Sequence, residues 1–138
     1  MPKLHLTSIT VGTPNPRELA RFYARLLRGE LTAEEPAQPG KPEAAGWAQV
    51  RTGNEDGPST LNFEYERAWQ APIWPSEPGK QHITQHLDIL VDDLDAAVAW
   101  AEECGAVQDP HQFQDDVRVM RDPHGHPFCL FTDDDEAG

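Results

Sequence analysis

The sequence contains one pattern twice, as ITVGTPNPRELARFYARLLRGE over residues 9–30 and as HLDILVDDLDAAVAWAEECGAV over residues 86–107. Each copy starts with a short run in which β-branched and other residues alternate, and each continues with apolar residues at helical spacing. A cap signal separates the two parts, and a glycine follows the helix. The repeat therefore predicts two modules that begin in the same way, with a strand and then a helix.

The ends of both helices carry specific signals. Asn15 is the predicted N-cap of the first helix, because a side-chain oxygen at this position accepts a hydrogen bond from an exposed backbone N–H. Asp92 or Asp93 has the same predicted role in the second helix. Gly29 and Gly105 are the predicted stops, since glycine adopts the left-handed conformation that ends many helices.

Three strand signals follow each helix, and segments rich in proline and glycine separate them. They are Glu30–Glu34, Trp47–Thr52 and Thr60–Glu66 in the first half, and Val107–Pro110, Val117–Asp122 and Pro127–Thr132 in the second. Each half therefore predicts a β-α-β-β-β module, and the fold class is α+β. We expect a single domain over 1–132, with module one at 4–67, a connector at 68–84, module two at 85–132, and a disordered acidic tail at 133–138.

Composition excludes several classes of protein. The 138 residues include 11 basic and 24 acidic side chains, a formal net charge of −13, which argues against nucleic acid as a partner because phosphate contacts need a basic surface. The chain has no apolar run of about 18 residues, so we expect no membrane span. We expect a cytoplasmic protein because the N-terminus lacks the apolar core of a signal peptide, and two cysteines are too few for a disulfide framework.

Three segments resemble one family. They are FYARLLRG at residues 22–29, HLDILVDDLDAA at 86–97 and, the most specific, RDPHGHPFCLF at 121–131. The chain is similar to the vicinal oxygen chelate superfamily, which includes glyoxalase I, extradiol dioxygenases and the bleomycin- and fosfomycin-resistance proteins, and within it to a glyoxalase-like group. The resemblance implies two βαβββ modules that form a cup-shaped mixed β-sheet, and a homodimer. It also implies a divalent metal in some members, held at four strand positions that face the cup.

At those four positions the chain has Ser8, Glu64, His86 and Cys129. His86 is either a metal ligand, an acid/base group or a structural histidine, because imidazole suits both metal binding and proton transfer. Glu64 is either a ligand, a proton-transfer group or part of a solvated strand face. Cys129 departs from the glutamate usual in the family, and is either a zinc ligand, a nucleophile with a lowered pKa or a small apolar filler. Ser8 is a poor ligand.

The predicted metal set is therefore His86, Glu64 and Cys129, with zinc, nickel, iron or manganese as the metal, or no metal at all. His82, which precedes the fifth strand, is a further candidate that could join this set. The segment DPHG at residues 122–125 is predicted to be a tight turn, and we interpret His124 and His126 as part of this turn and not as metal ligands. Among the acidic residues, Glu64 and Asp88 are the ones predicted to place negative charge where a metal or a cationic ligand would feel it.

Three tryptophans offer a second interpretation. Trp47, Trp69 and Trp74 are candidates to line an apolar or cation-binding pocket, and the alternative for Trp69 and Trp74 is that they pin the proline-rich connector to the sheet. Two functions that involve a small molecule follow from these residues and the resemblance, beside a third, a protein–protein interaction module that kept the fold and lost the site. One is a metal-dependent isomerase or lyase that acts on a small oxygenated metabolite, with Glu64 and His86 as catalytic residues. The alternative is a metal-free protein that binds or sequesters a small molecule, as bleomycin-resistance proteins do.

Overall fold

The computed structural model describes residues 2–54 and 57–133. The chain divides into two compact units, Met1–Trp69 and Gln70–Gly138. Each unit has the order β-α-β-β-β, which confirms the predicted α+β class and the repeated module. The predicted disorder of the acidic tail falls, apart from Asp133, outside the described residues. Within the described part of the chain, no helix has both the length and the apolar character needed to cross a membrane.

The first unit is one mixed sheet with one helix. Its elements are β1 (Ser8–Thr13), α1 (Pro16–Leu27), β2 (Glu30–Glu35), β3 (Trp47–Arg51) and β4 (Thr60–Tyr65). The strands lie in the order β1-β4-β3-β2. The β1–β4 pair is parallel, because α1 forms part of the connection between these strands, and the other pairs are antiparallel.

The second unit repeats this topology. Its elements are β5 (Leu87–Leu90), α2 (Leu94–Cys104), β6 (Val107–Gln108), β7 (Val117–Arg121) and β8 (Pro127–Phe131), in the order β5-β8-β7-β6. Again the first strand pairs in parallel with the last. Strand β6 stops two residues before the predicted end at Pro110. Proline has no N–H for a sheet ladder, and the carboxylate of Asp109 instead accepts a hydrogen bond from the backbone of His111 at 2.9 Å.

Three of the four predicted helix ends are confirmed. The side chain of Asn15 accepts a hydrogen bond from the backbone N–H of Glu18 at 3.3 Å, Asp93 caps α2, and Gly105 has the left-handed φ of 119°. The prediction for Gly29 is wrong, because Arg28 holds the left-handed position with φ 52°. Gly29 is required for another reason, because a Cβ on this residue would collide with the backbone carbonyl oxygen of Arg51 at the end of β3.

Each helix covers one face of its own sheet. In the first unit the ring of Tyr23 on α1 stacks on Phe63 of β4, with ring centroids 5.8 Å apart, and both side chains are buried. Side chains alternate across a strand, so the next residue, Glu64, points to the opposite face and is exposed. We call the side of each sheet turned away from its own helix the distal face. Among the residues to which the sequence assigns a function, this face carries Trp47 and Glu64 in the first sheet and Cys129 in the second.

Candidate functional site

Three residues with metal-ligating side chains meet on the distal face of the second sheet. They are His86, Asp88 and Cys129, and one ligand atom from each lies within 4.8 Å of the others. The imidazole Nε2 of His86 is 3.1 Å from a carboxylate oxygen of Asp88. Both of these side chains are about half exposed, and Cys129 is half-buried. The group is thus open to solvent on one side.

Strand geometry explains why these residues meet. His86 immediately precedes β5 and Asp88 lies two residues further on, so the two side chains share one face. Asp88 is the register partner of Cys129 in the parallel β5–β8 pair. The neighbours of Cys129 in β8, Phe128 and Leu130, are buried in the core, and alternation therefore directs the thiol to the distal face.

The surroundings keep the thiol of Cys129 protonated. Partial burial, the negative charge of Asp88 and a hydrogen bond with Asp88 together raise its pKa from 9.0 to about 11, and burial is the largest of the three causes. A cysteine nucleophile needs a lowered pKa, because the thiolate is the reactive form. The structure therefore argues against the interpretation of Cys129 as a nucleophile. A bound cation would reverse this effect, since a metal stabilises the thiolate directly.

The donor set fits a borderline-soft divalent metal. Nitrogen, oxygen and sulfur are the three donor types that zinc takes, at about 2.0–2.3 Å. In a tetrahedral site these bond lengths place ligand atoms about 3.5 Å apart. The three donor atoms lie within 4.8 Å of each other, so small side-chain rotations are enough to close them around an ion. Three protein ligands leave one coordination position for water or substrate, as in catalytic zinc sites.

Glu64, which the sequence places in the metal set, lies in the first unit. It is exposed on the distal face of β4, where its register partners are Trp47 on β3 and Gly12 on β1. The three-residue group found among the described residues contains Asp88 and not Glu64. The predicted role of Glu64 in catalysis stays a prediction. Ser8 opens β1, and its hydroxyl donates a hydrogen bond to the hydroxyl of Thr7 at 3.3 Å.

A row of polar side chains crosses the same distal face of the first sheet. The hydroxyl of Thr32 donates to the side-chain carbonyl of Gln49, and the amide of Gln49 donates to the side-chain carbonyl of Asn62, both at 2.9 Å. The row runs beside Trp47 and Glu64, which are register partners and lie two residues from Gln49 on β3 and from Asn62 on β4. This face therefore offers an aromatic ring, a carboxylate and aligned hydrogen-bonding groups to a ligand.

The three predicted tryptophans have different surroundings. Trp47 begins β3, and Trp69 follows β4 near the end of the first unit. Trp74 belongs to the second unit, where it packs edge-on against Phe113 with ring centroids 5.8 Å apart. Its indole nitrogen is buried and has no hydrogen-bond partner among the described residues. The contact with Phe113 favours the interpretation that Trp74 pins the connector. Ligand binding by these tryptophans stays a prediction.

The DPHG segment is a turn, as the sequence predicts, and Asp122 holds it together. The buried carboxylate of Asp122 accepts hydrogen bonds from the backbone N–H groups of His124 and His126 at 2.9 and 3.0 Å. It also contacts the ring Nδ1 of His126 at 2.8 Å. These three contacts explain the composition of the segment without a metal.

Sequence reasoning placed Asp88 on the same face as His86 but left it out of the ligand set. The available signal was the spacing of two residues in a strand, which puts both side chains on one face. The pairing of Asp88 with Cys129 connects residues 41 positions apart, 129 minus 88, and depends on the register of two parallel strands. Alternation alone does not determine that register.

Comparison with known proteins agrees with this architecture. Residues 8–131 match the family described as a Glyoxalase-like domain. No match was found among curated proteins.

Several solved structures share the fold. A glyoxalase/bleomycin resistance protein/dioxygenase family enzyme from Burkholderia phytofirmans PsJN is 17% identical, with a TM-score of 0.61, over 94% of this chain and 98% of the other. TnmS3, an antibiotic binding protein from Streptomyces sp. CB03234, is 20% identical, with a TM-score of 0.57, over 96% and 98%. The fosfomycin resistance protein FosX from Listeria monocytogenes, solved with Mn(II) and a dihydroxypropylphosphonic acid, is 12% identical, with a TM-score of 0.66, over 91% and 90%.

Proposed function

Because the chain belongs to the Glyoxalase-like domain family and carries an imidazole, a carboxylate and a thiol side by side, we propose that it is a metal-dependent protein that acts on a small oxygenated molecule. The proposed metal ligands are His86, Asp88 and Cys129. The observation that supports this function most strongly is the approach of the three ligand atoms to within 4.8 Å of each other. The manganese in the structurally similar FosX is consistent with it.

The chemistry of this group follows from its donors. A divalent cation at such a site acts as a Lewis acid that polarises a bound oxygen. Asp88 contributes the negative charge that balances the cation, and Cys129 adds a second one once its proton has left. The exposure of His86 and Asp88 leaves a path for a small ligand. Isomerase or lyase chemistry on an oxygenated metabolite fits these features, and we propose it as the reaction class.

Metal analysis of protein purified without a histidine tag tests this function. We expect about one equivalent of a divalent metal per chain after equilibration with zinc, manganese, nickel or iron and removal of loose metal. Asp88→Asn and Cys129→Ser should each lower the retained metal at least tenfold, since outer-shell changes alone cost 10- to 100-fold in metal affinity. His82→Gln is the matched control and should retain the metal.

Two results would contradict the metal function. One is a substoichiometric metal content in the wild-type protein together with a melting temperature that a chelator does not change. The other is the same metal retention in all three variants as in the wild type.

We propose as a second candidate that the protein captures a small molecule without a metal. Two observations favour it: Ser8 occupies a position where metal-dependent relatives are expected to have a ligand, and Trp47, Glu64 and the polar row at Gln49 share one distal face. The fold similarity to the antibiotic binding protein TnmS3 is consistent with this function. Ligand binding that persists in excess chelator is the expected result, and binding that disappears with the metal would contradict it.

A further inference from the structure

The first unit contains a pocket next to Trp47. It has a volume of about 760 Å³ and lies between the segment that joins β2 to β3 and the end of β4. That volume falls within the range of about 300–1,000 Å³ typical of small-molecule sites. Its lining includes two aromatic residues, two cations and two acids, which are Trp47 and Tyr65, Lys41 and Arg67, and Glu35 and Glu66.

The two cations of this pocket are available to a ligand. Across residues 2–54 and 57–133, the side chains of Lys41 and Arg67 have neither an ion pair nor a hydrogen bond with another residue, and the same is true of Lys3, Arg51 and Lys80. What distinguishes Lys41 and Arg67 is that both line one pocket. Glu66, which also lines the pocket, is engaged elsewhere, because its carboxylate accepts a hydrogen bond from the backbone of Ala68 at 2.9 Å.

The wall of the pocket is anchored to the helix. Arg17, in the first turn of α1, donates a hydrogen bond from Nη2 to the backbone carbonyl of Glu43 at 2.6 Å. Gly46, a lining residue, packs so closely on Arg17 and on the carbonyl of Glu35 that a Cβ would not fit there. These contacts hold the segment that carries Lys41 in place beside Trp47, so the site is largely formed before any ligand arrives.

We propose that this pocket binds a planar aromatic carboxylate. The ring of the ligand packs on Trp47, because offset or edge-on contacts between aromatic rings are favourable. Tyr65, two residues after Phe63 and therefore on the opposite face of the sheet from Trp47, borders the same pocket. Its carboxylate is held by Arg67 and Lys41, since hydrogen bonds between charged partners are about twice as strong as neutral ones. This inference rests on the second candidate function, capture without a metal, and adds the site and the chemical class of the ligand. All the residues that line this pocket lie in the first unit, whereas the proposed metal ligands lie in the second.

Calorimetric titration in excess chelator tests the inference with three probes of similar shape: 1-naphthoate, its neutral amide 1-naphthamide, and the cation 1-naphthylmethylammonium. We expect 1-naphthoate to bind at least tenfold more tightly than the other two, and its affinity to fall as the salt concentration rises. The double variant Lys41→Gln/Arg67→Gln should lose at least tenfold in affinity for 1-naphthoate. The control Lys3→Gln/Lys80→Gln changes the net charge equally at exposed positions outside the pocket and should bind like the wild type.

The outcomes separate this inference from the function on which it rests. Tighter binding of the amide or the cation would overturn the inference and leave metal-free capture standing. Binding of 1-naphthoate that is equally strong in the Lys41/Arg67 double variant would also overturn it. Failure of all three probes to bind the wild-type protein would also overturn the inference, whereas the second candidate function is contradicted only by ligand binding that disappears with the metal.

Discussion

At the scale of single residues, Cys129 shows how a neighbour determines what a side chain does. The identity of the residue as cysteine is compatible with metal binding, nucleophilic catalysis and simple packing, and does not choose among them. Here burial, together with the charge of Asp88 opposite Cys129 in the sheet, holds the thiol in its protonated form. In the proposed metal site the same Asp88 and Cys129 would be two of the three ligands. A residue that looks inert without a metal is thus a sensitive reporter of metal binding.

The raised pKa of Cys129 predicts slow alkylation. In a Cys104→Ala background, the rate of reaction with iodoacetamide should rise with a midpoint near pH 11 in the absence of metal, because the thiolate is the reacting form. Asp88→Asn removes one cause of the shift and should move the midpoint towards 9.0, whereas Asp92→Asn, two residues after the end of β5, should not. Mass spectrometry of the modified protein follows the rate. A midpoint that is the same in both variants would show that Asp88 has no influence on this thiol.

Structural elements show which sequence signals are reliable. Caps and strand alternation depend on neighbours in the chain, so Asn15, Asp93 and the exposure of Glu64 could be predicted. Gly29 could not, since the contact that requires glycine is with the distant β3. The register of β5 against β8 is equally non-local. For this reason the sequence gives His86 and Cys129 as candidates, while the addition of Asp88 to the same group needs the structure.

The ion pair between Arg121 and Asp109 in the second unit links β7 with the end of β6, and further contacts of Arg121 reach the connector and the DPHG turn. The guanidinium Nε of Arg121, at the end of β7, lies 2.8 Å from a carboxylate oxygen of Asp109, which is buried after β6. Its Nη1 donates hydrogen bonds to the carbonyls of Pro72 in the connector and Gly125 in the DPHG turn, both at 2.8 Å. Burial works against ionisation of Asp109, but hydrogen bonds from His111 and Arg121 and the charge of Arg121 outweigh it and lower the pKa of this carboxyl.

This pair predicts a pH-dependent contribution to stability. Because the pKa of Asp109 is lower in the folded protein than the usual 3.8, its contribution is present above that pH and is lost as the pH falls through the folded-state pKa. Asp109→Asn should lower the free energy of unfolding at pH 7 by about 2 kcal/mol, as expected for the loss of a charged hydrogen bond. Urea denaturation at pH 7 and pH 3 measures both effects. An exposed control, Asp115→Asn, should change neither value, and a stable Asp109→Asn protein would refute the role given to the pair.

At the scale of the whole molecule, the acidic side chains that give the net charge of −13 have different structural roles. Several acidic side chains cap helices and turns, as Asp93 and Asp122 do, and one supports the buried pair at Arg121. Asp88 and Glu64 are the acids that the distal faces present near the groups described above. Lys41 and Arg67, which have no ion pair among residues 2–54 and 57–133, lie together at one pocket and there favour a ligand of the opposite charge from the one that the net charge alone suggests.

The resemblance to the superfamily also implies a homodimer, which we propose for this chain. Light scattering coupled to size-exclusion chromatography should give twice the mass of one chain, and the mass should not change with salt if apolar contacts hold the subunits together. A mass equal to one chain over the full range of concentrations would exclude the dimer.

The proposed metal group at His86, Asp88 and Cys129 is tested most directly by the spectrum of the cobalt(II)-loaded protein. Cobalt(II) occupies sites built for zinc, and a thiolate ligand adds an absorption band in the near ultraviolet that nitrogen and oxygen ligands do not produce. We predict that this band appears in step with about one equivalent of cobalt and is absent from Cys129→Ser. A cobalt spectrum without the thiolate band in the wild-type protein, or an unchanged spectrum in Cys129→Ser, would contradict the assignment of these three residues.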